Sequence, residues 1–239
     1  MAQTSSADTR MGTDPIPSLM IRLAVPSVVA QLINALYNIV DRIYIGHIPE
    51  IGSTALTGVG LTFPILLLVS AFSYFAGAGG APLAAIQLGK GKKREAEKIL
   101  GNAVTILLFF SVTLTLLFLI VKRPLLYMFG ASDETIVYAD SYISVYLIGT
   151  IFVQLSLGLN MFITSQGQAK TAMLSVLIGA VTNIILDPVF IFLFHMDVVG
   201  AALATIISQA LSAAWVLRFL TSKKSVINIR KVCLVPDFP

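Results

Sequence analysis

Asn183 and Asp187 stand four residues apart in the apolar run NIILDPVFIF, and Pro188 follows the carboxylate at once. An ionisable side chain in the middle of a membrane helix costs about 2.5–3.5 kcal/mol on insertion scales, so it is a functional candidate by default. Residues four apart share one helix face. Asn34, Asn38 and Asp41 repeat the pattern in NALYNIVD, with Tyr37 beside them and Arg42 next in line. Pro188 has no N–H to offer the carbonyl of Ile184, and transporters use carbonyls freed in this way around ions. With the hydroxyl of Thr205, these groups make a set of hard oxygen donors that suits Na⁺. The same two carboxylates, brought close and desolvated, can instead hold a proton. The plain structural alternative is that Asp187 pairs with Arg42 or caps a broken helix.

The elements that must position these groups are membrane helices. Of 239 residues, 56% are hydrophobic and 12% charged, against about 25% charged in an ordinary soluble domain. Mean hydropathy is +0.89. Apolar stretches long enough to cross a hydrocarbon core of about 30 Å recur six times, roughly over 16–45, 54–88, 99–121, 135–165, 171–194 and 200–220. No alternating pattern suggests a barrel. The second and fourth stretches exceed the minimum and are expected to tilt, bend or project into water. At ~1.5 Å of rise per residue, Asn183 and Asp187 lie about 20 and 26 Å from the Lys170 end, Asp41 about 9 Å from the opposite surface and Thr205 about 8 Å from it. All four therefore fall in one half of the membrane.

Charge sets the orientation. GKGKKREAEK (89–98) carries Lys90, Lys92, Lys93, Arg94 and Lys98; Lys170, then Lys223, Lys224, Arg230 and Lys231, lie on the same side, as does Arg10. The other side holds Lys122 and Arg123 among Glu50, Asp133, Glu134 and Asp197. The positive-inside rule then makes both termini cytoplasmic. Residues 1–15 read as a polar cytoplasmic tail, 16–220 as one six-helix membrane lobe and 221–239 as the start of a linker.

Several other chemistries are disfavoured. Neither Gly-Lys pair of the basic loop is followed by Ser or Thr, so no phosphate-binding Walker pattern forms, and the net charge of +4 serves topology and anionic-lipid contact rather than nucleic acid. AGAGGAP (76–82) has Pro where a dinucleotide fingerprint needs its last Gly, and its small residues suit close helix packing instead. Two His and one Cys, Cys233, leave little for zinc or haem and allow no internal disulfide. His47 reads as interfacial. Met161, Met173 and the Phe residues read as lipid-facing or core filler, of the kind that also lines promiscuous apolar pockets.

Taken together, NALYNIVDRIYIGHI, FGASDETIVYADSYISVYLIG, TNIILDPVFIF and VVGAALATIISQALSA resemble the multidrug and toxic compound extrusion (MATE) family, most closely its bacterial multidrug-efflux branch. The resemblance runs from about residue 16 to residue 220 with the motifs in order. It implies an all-α membrane protein, a six-transmembrane-helix bundle that forms one lobe of a twelve-helix transporter. It implies export of amphipathic, often cationic compounds driven by Na⁺ or H⁺, without a cofactor. A cation site would comprise Asp41, Asn183, Asp187 and Thr205, with Asn34, Tyr37 and Asn38 as polar cavity lining. Pro26 matches a helix-one proline associated with bending, and Pro188 is the second expected hinge.

The partners implied are amphipathic small molecules, the lipid bilayer of the plasma membrane and a C-terminal six-helix lobe that is missing here, without which the chain is expected to be inactive. Two other functions compete. A lipid-linked oligosaccharide flippase needs several cationic cavity residues for pyrophosphate, and Arg42 is the one basic residue within a span away from its cytoplasmic end. An intramembrane aspartyl protease would use Asp41 and Asp187 as a dyad, but its Gly-x-Gly-Asp and Tyr-Asp signatures are absent.

Overall fold

The computed structural model of the chain describes residues 15–230. The polar tail through residue 14, and 231–239 with Lys231 and Cys233, lie outside the described residues. Eight α-helices follow in order: α1 (Ile16–Gly46), α2 (Gly52–Leu61), α3 (Phe63–Gly89), α4 (Lys93–Met128), α5 (Ile136–Ile148), α6 (Thr150–Ser165), α7 (Ala169–Pro188), which runs on as a π-helical turn (Val189–Leu193), and α8 (Asp197–Leu220). Five helical segments are long and apolar enough to cross a membrane, and α5 with α6 makes a sixth span, bent by 60°.

Both over-long stretches are interrupted, each at an identifiable residue. The second breaks at Thr62, whose hydroxyl donates to the Val59 carbonyl at 2.7 Å, just before Pro64 removes a ladder donor. The fourth breaks at Gly149, where a Cβ would sit 2.4 Å from Ile206 Cγ1. The bend thus lets α8 wedge against the joint. The third span is longer than its apolar core implies. Lys93, Arg94 and Lys98 form its first turns, and Lys122 and Arg123 lie within α4 rather than in a loop. Asp140 of α5 explains the latter pair. Its carboxylate meets Lys122 Nζ at 2.7 Å and Arg123 Nε at 3.4 Å, and Lys122 also donates to the Ser144 hydroxyl. Long apolar stems carry both charges to a partner on the neighbouring helix.

The bundle packs α1 along α7, α3 along α4 and α6, and α8 along α6 and α7. Two apolar cores fill it. One gathers Ile45, Ile65, Leu126, Ile143, Leu147 and Ile191; the other gathers Leu100, Leu107, Leu159, Phe162, Val216 and Leu220. Fully buried Gln154 joins α6 to α3 between them, with Nε2 donating to the Val69 carbonyl at 3.0 Å and Oε1 accepting from Ser73 Oγ at 2.8 Å. Such bonds are worth about 0.6–2 kcal/mol between membrane helices, where lipid offers no competing partner. The outward face of α1 is a row of exposed apolar residues, among them Met20, Leu32, Leu36, Ile39 and Ile43.

The small-residue run 76–82 has the packing role expected of it. A Cβ on Gly77 would stand 2.7 Å from the carbonyl oxygen of Gly158 on α6, whereas one on Gly79 would meet nothing within 4 Å. Gly77→Ala is therefore expected to destabilise the lobe by about 1–3 kcal/mol through overpacking against backbone, and Gly79→Ala to leave it unchanged or slightly stabilised. Melting of both variants in detergent checks this, since 1 kcal/mol moves Tm by roughly 2–4 °C at this size. Equal melting of the two variants would rule out the contact as a packing constraint.

Candidate functional site

Three helices supply the site. α1 turns Asn34, Tyr37 and Asp41 toward the interior because it lies along α7, while Asn38 stays exposed with its Nδ2 donating to the Asn34 carbonyl at 2.6 Å; α7 presents Asn183 and Asp187 one turn apart. α8 brings Thr205 from the third side. Four of these residues are buried, at 9% exposure for Asp41, 1% for Asn183, 0% for Asp187 and 8% for Thr205. Asn183 is the bridge. Its Nδ2 donates to Asp187 Oδ1 at 3.0 Å and to Thr205 Oγ1 at 3.4 Å. The carboxyls of Asp41 and Asp187 meet side chain to side chain.

Three oxygens of this cluster, Asp41 Oδ1, Asn183 Oδ1 and Asp187 Oδ2, are buried without a hydrogen-bond partner. Buried oxygens are rarely left so, because each costs about 1–3 kcal/mol and more when charged. Arg42 bears on Asp41 through space. Yet among the described residues no ion pair within 4.0 Å joins Arg42 to either carboxylate; the pairs present lie at Glu95, Glu97 and Asp140. The structural alternative of an Asp187–Arg42 pair is thus not realised. What fits the gap is a small cation bound by oxygen, either a proton or an alkali ion. Among the described residues there is no cluster of three or more His, Cys, Asp or Glu side chains able to hold a metal.

Pro188 acts on its C-terminal side. The ladder passes into π-helical register at once, with the Phe194 N–H donating to the Val189 carbonyl at 3.0 Å, and α7 with this turn is one 25-residue span. Single π turns inside helices recur at functional sites. Here the turn begins two residues after Asp187. Pro26 is buried within α1, where most neighbouring residues are exposed.

Some of the site was not evident beforehand. Tyr142 and Tyr146 of α5 stack at 6.4 Å and 17°. Tyr142 lines the same cavity as Thr205, Asp41 and Tyr37. Their spacing of four in SYISVY was the available signal. Together with Asn34, Tyr37, Asn38, Asp41 and Thr205 they line a cavity of ≈ 280 Å³, open between α1, α3 and α5. Gln209 lines it too, one turn below Thr205 on α8.

A bundle of bent, lipid-length helices around a buried acidic pair is the architecture of a multi-pass membrane transporter. The chain belongs to the MatE family, whose model matches residues 26–189. It is 28% identical over 213 residues to the multidrug export protein MepA of Staphylococcus haemolyticus (strain JCSC1435), covering 87% of this chain and 46% of the relative. Among solved structures, the outward-facing conformation of a multidrug resistance MATE family transporter of the MOP superfamily superposes with a TM-score of 0.90 at 27% identity, over 99% of this chain and 52% of the other. A crystal structure of MATE in the bent conformation superposes with a TM-score of 0.89 at 27% identity, over 98% and 52%. The chain spans about half the length of the relatives it matches.

The carboxylate contact makes a stability prediction. In buffer poor in cations, Asp187→Asn is expected to melt at or above the wild type, because the substitution removes repulsion while keeping shape. Saturating the site with its cation stabilises the wild type by mass action, by about 2.7 kcal/mol at a hundredfold excess over Kd, and leaves Asp187→Asn unmoved. Melting curves across Na⁺ concentration and pH test this; an equal response from both proteins would remove the acidic pair as the binding locus.

Proposed function

We propose that this chain forms the N-terminal lobe of a cation-coupled exporter of amphipathic, often cationic organic compounds. The observation that carries this reading is the set of three unpartnered buried oxygens on Asp41, Asn183 and Asp187, beside the Thr205 hydroxyl. The coupling ion, Na⁺ or H⁺, is their missing partner. An ion drives transport only by binding one conformation better than another. A carboxylate pair that is unfavourable when empty and compensated when filled has that differential affinity built in. Family membership and the multidrug-export relatives point the same way.

The aromatic and amide lining beside the site, with Tyr74, Tyr142, Tyr146 and Leu66, suits a flat cationic guest. Arg42 is the one basic residue along it, which does not favour a pyrophosphate-bearing lipid. Alternating access needs a second bundle to rock against this one, and a C-terminal six-helix lobe is the partner in this reading. The basic residues at the α3–α4 turn, Lys170, Lys223, Lys224 and Arg230 support a reading with both termini cytoplasmic, and the exporter of this reading sits in the plasma membrane. Pro26 is assigned the bend of α1 that moves Asp41 relative to α7.

The test is export of a fluorescent cationic dye from cells, in a protein carrying this lobe together with a second one, at several Na⁺ concentrations and pH values. Asp187→Asn and Asp41→Asn are expected to abolish the dependence on the driving ion. Asn183→Ala should weaken it by about five- to tenfold, the worth of roughly 1–1.5 kcal/mol for one neutral ligand that water replaces in part. Pro26→Ala should lower export with expression near normal. Unchanged ion dependence in Asp187→Asn would leave the residue with a structural role only.

A further inference from the structure

A second cluster stands at the far end of α8, about 20 Å along the helix from Thr205. Trp215, Arg218 and Phe219 lie in the last turns of α8, and Ser222, Lys223 and Lys224 follow in the turn after it. These six residues line a cavity of ≈ 360 Å³, within the range of small-molecule sites, about 300–1,000 Å³. Among the described residues no carboxylate lines it. Arg218, Lys223 and Lys224 are exposed, and among the described residues no ion pair within 4.0 Å engages them, whereas Lys93, Lys122, Arg123 and Arg230 each have an acidic partner. Three cations within seven residues thus border one opening without a counter-charge.

The walls of this cavity are held by hydrogen bonds. The Trp215 indole N–H donates to the Thr171 carbonyl of α7 at 3.3 Å, which sets the ring across the α7–α8 seam. Ser222 Oγ donates to the Phe219 carbonyl at 2.7 Å and accepts from the Lys224 N–H at 3.3 Å. Gln168 Nε2 donates to the Lys224 carbonyl at 3.2 Å, and Asn228 Nδ2 donates to the Leu220 and Ser222 carbonyls at 3.3 and 2.7 Å. The backbone that carries the lysines is therefore tied both to α8 and to the α6–α7 turn. Toward the membrane interior the surface becomes apolar. Ile207 and Leu211 are exposed on the Trp215 face of α8, eight and four residues before it, and Leu174 and Val181 are exposed on α7. The antiparallel register is set by Trp215 on Thr171 and by Ser212 Oγ on the Ser175 carbonyl at 2.8 Å. It brings Leu211 near the level of Leu174, and Ile207 near that of Val181.

We propose that this end of α8 is a binding site for an anionic glycerophospholipid. The phosphate sits between the Arg218 guanidinium and the Lys223 and Lys224 ammonium groups, the glycerol backbone rests on the Trp215 ring, and the acyl chains run past Leu211 and Ile207 on one side and Leu174 and Val181 on the other. A guanidinium meets phosphate through two parallel bonds and an ammonium meets it as a point charge. Tryptophan favours the headgroup level, where one edge of the ring is wet and the rest apolar, and Trp215 lies five residues, about 7.5 Å, before the end of α8. A soluble phosphate would use the cations and leave the ring and the two apolar rows uncovered; a neutral apolar guest would leave the three charges unanswered. Basic pockets between membrane helices hold phospholipid headgroups in this setting. Topogenic charge by itself requires neither a fixed ring nor a cavity. The site is independent of the acidic pair, and an occupant would clasp α8 to α7 at the membrane surface.

Trp215 is the one tryptophan of the chain, so its fluorescence reports this site alone. The chain is reconstituted in phosphatidylcholine vesicles, and either phosphatidylglycerol or phosphatidylcholine carrying brominated acyl chains is titrated in, since bromine quenches an indole that it approaches. In the wild type the brominated phosphatidylglycerol is expected to quench at a mole fraction about tenfold or more below that of the brominated phosphatidylcholine. Arg218→Gln should lower that preference about fivefold, the worth of one cation near an anionic headgroup, and Lys223→Gln with Lys224→Gln should bring it close to one. Lys223→Arg with Lys224→Arg, which keeps the charges, should retain it. Quenching by phosphatidylcholine is the internal reference that Trp215 still faces lipid in each variant. Lys90→Gln with Lys92→Gln removes as much charge from the α3–α4 turn and should leave the preference unchanged. Equal quenching by the two lipids in the wild type overturns the proposal, and so does an equal loss in the Lys90 and Lys92 variant, which would assign the effect to bulk surface charge. Glycerol phosphate at the same concentration as the lipid should not relieve the quenching; relief would give the cations to a soluble phosphate ester and overturn the lipid.

Discussion

Two carboxylates in contact inside a helical bundle are the constraint on which this lobe turns. Asp41 and Asp187 come from helices far apart in the chain, and they meet only because α1 lies along α7. Lipid offers no water to screen them, and Arg42 does not close on either. In the reading proposed above, the pair is tolerable when a cation is present and costly when it is not. That difference is what a coupled transporter needs, because it converts the presence of an ion into a preference between packings.

The rest of the interior shows how unusual this is. Gln154 and Ser73 satisfy one another and the Val69 carbonyl. Gln166 accepts from Ser225 Oγ and from the Val226 and Ile227 N–H groups, which binds the segment after α8 back onto the lobe. Buried Glu97 takes Arg230 at 2.8 Å, and Asp140 takes Lys122. Of the eight buried side-chain atoms without a hydrogen-bond partner among the described residues, four belong to Asp41, Asn183, Asp187 and Ser208. The other four lie on Gln87, Glu97, Asp140 and Thr150, so the open atoms gather around the acidic pair without being confined to it.

Close packing holds the site in place. Gly77 against the Gly158 carbonyl brings α3 and α6 into backbone contact, and the joint at Gly149 lets Ile206 settle into the bend between α5 and α6. Ile206 is the neighbour of Thr205, so the bend in one span sets the height of a site residue on another. The π turn after Pro188 does the same for Asp187, by carrying the helix past a missing N–H without breaking it.

Hydropathy, the positions of the lysines and arginines and the polar stripes in NALYNIVD and NIILDP gave a great deal unaided: a six-span helical lobe, with Asp41, Asn183 and Asp187 marked as candidates on two of its helices. These are properties of single helices, readable because lipid forces every backbone bond inside its own segment and a period of 3.6 then names the face. The motif resemblance supplied the membership of Thr205, which no local pattern marked. What waited on tertiary structure were relations between helices. The breaks at Thr62 and Gly149, the extension of α4 past Lys122 and Arg123 to meet Asp140, the entry of Tyr142 and Tyr146, and the unpartnered oxygen of Ser208 were all of this kind. Whether a hydroxyl is satisfied, or a glycine is needed, depends on what the neighbouring helix places within 3 or 4 Å of it, and that distance is decided by packing.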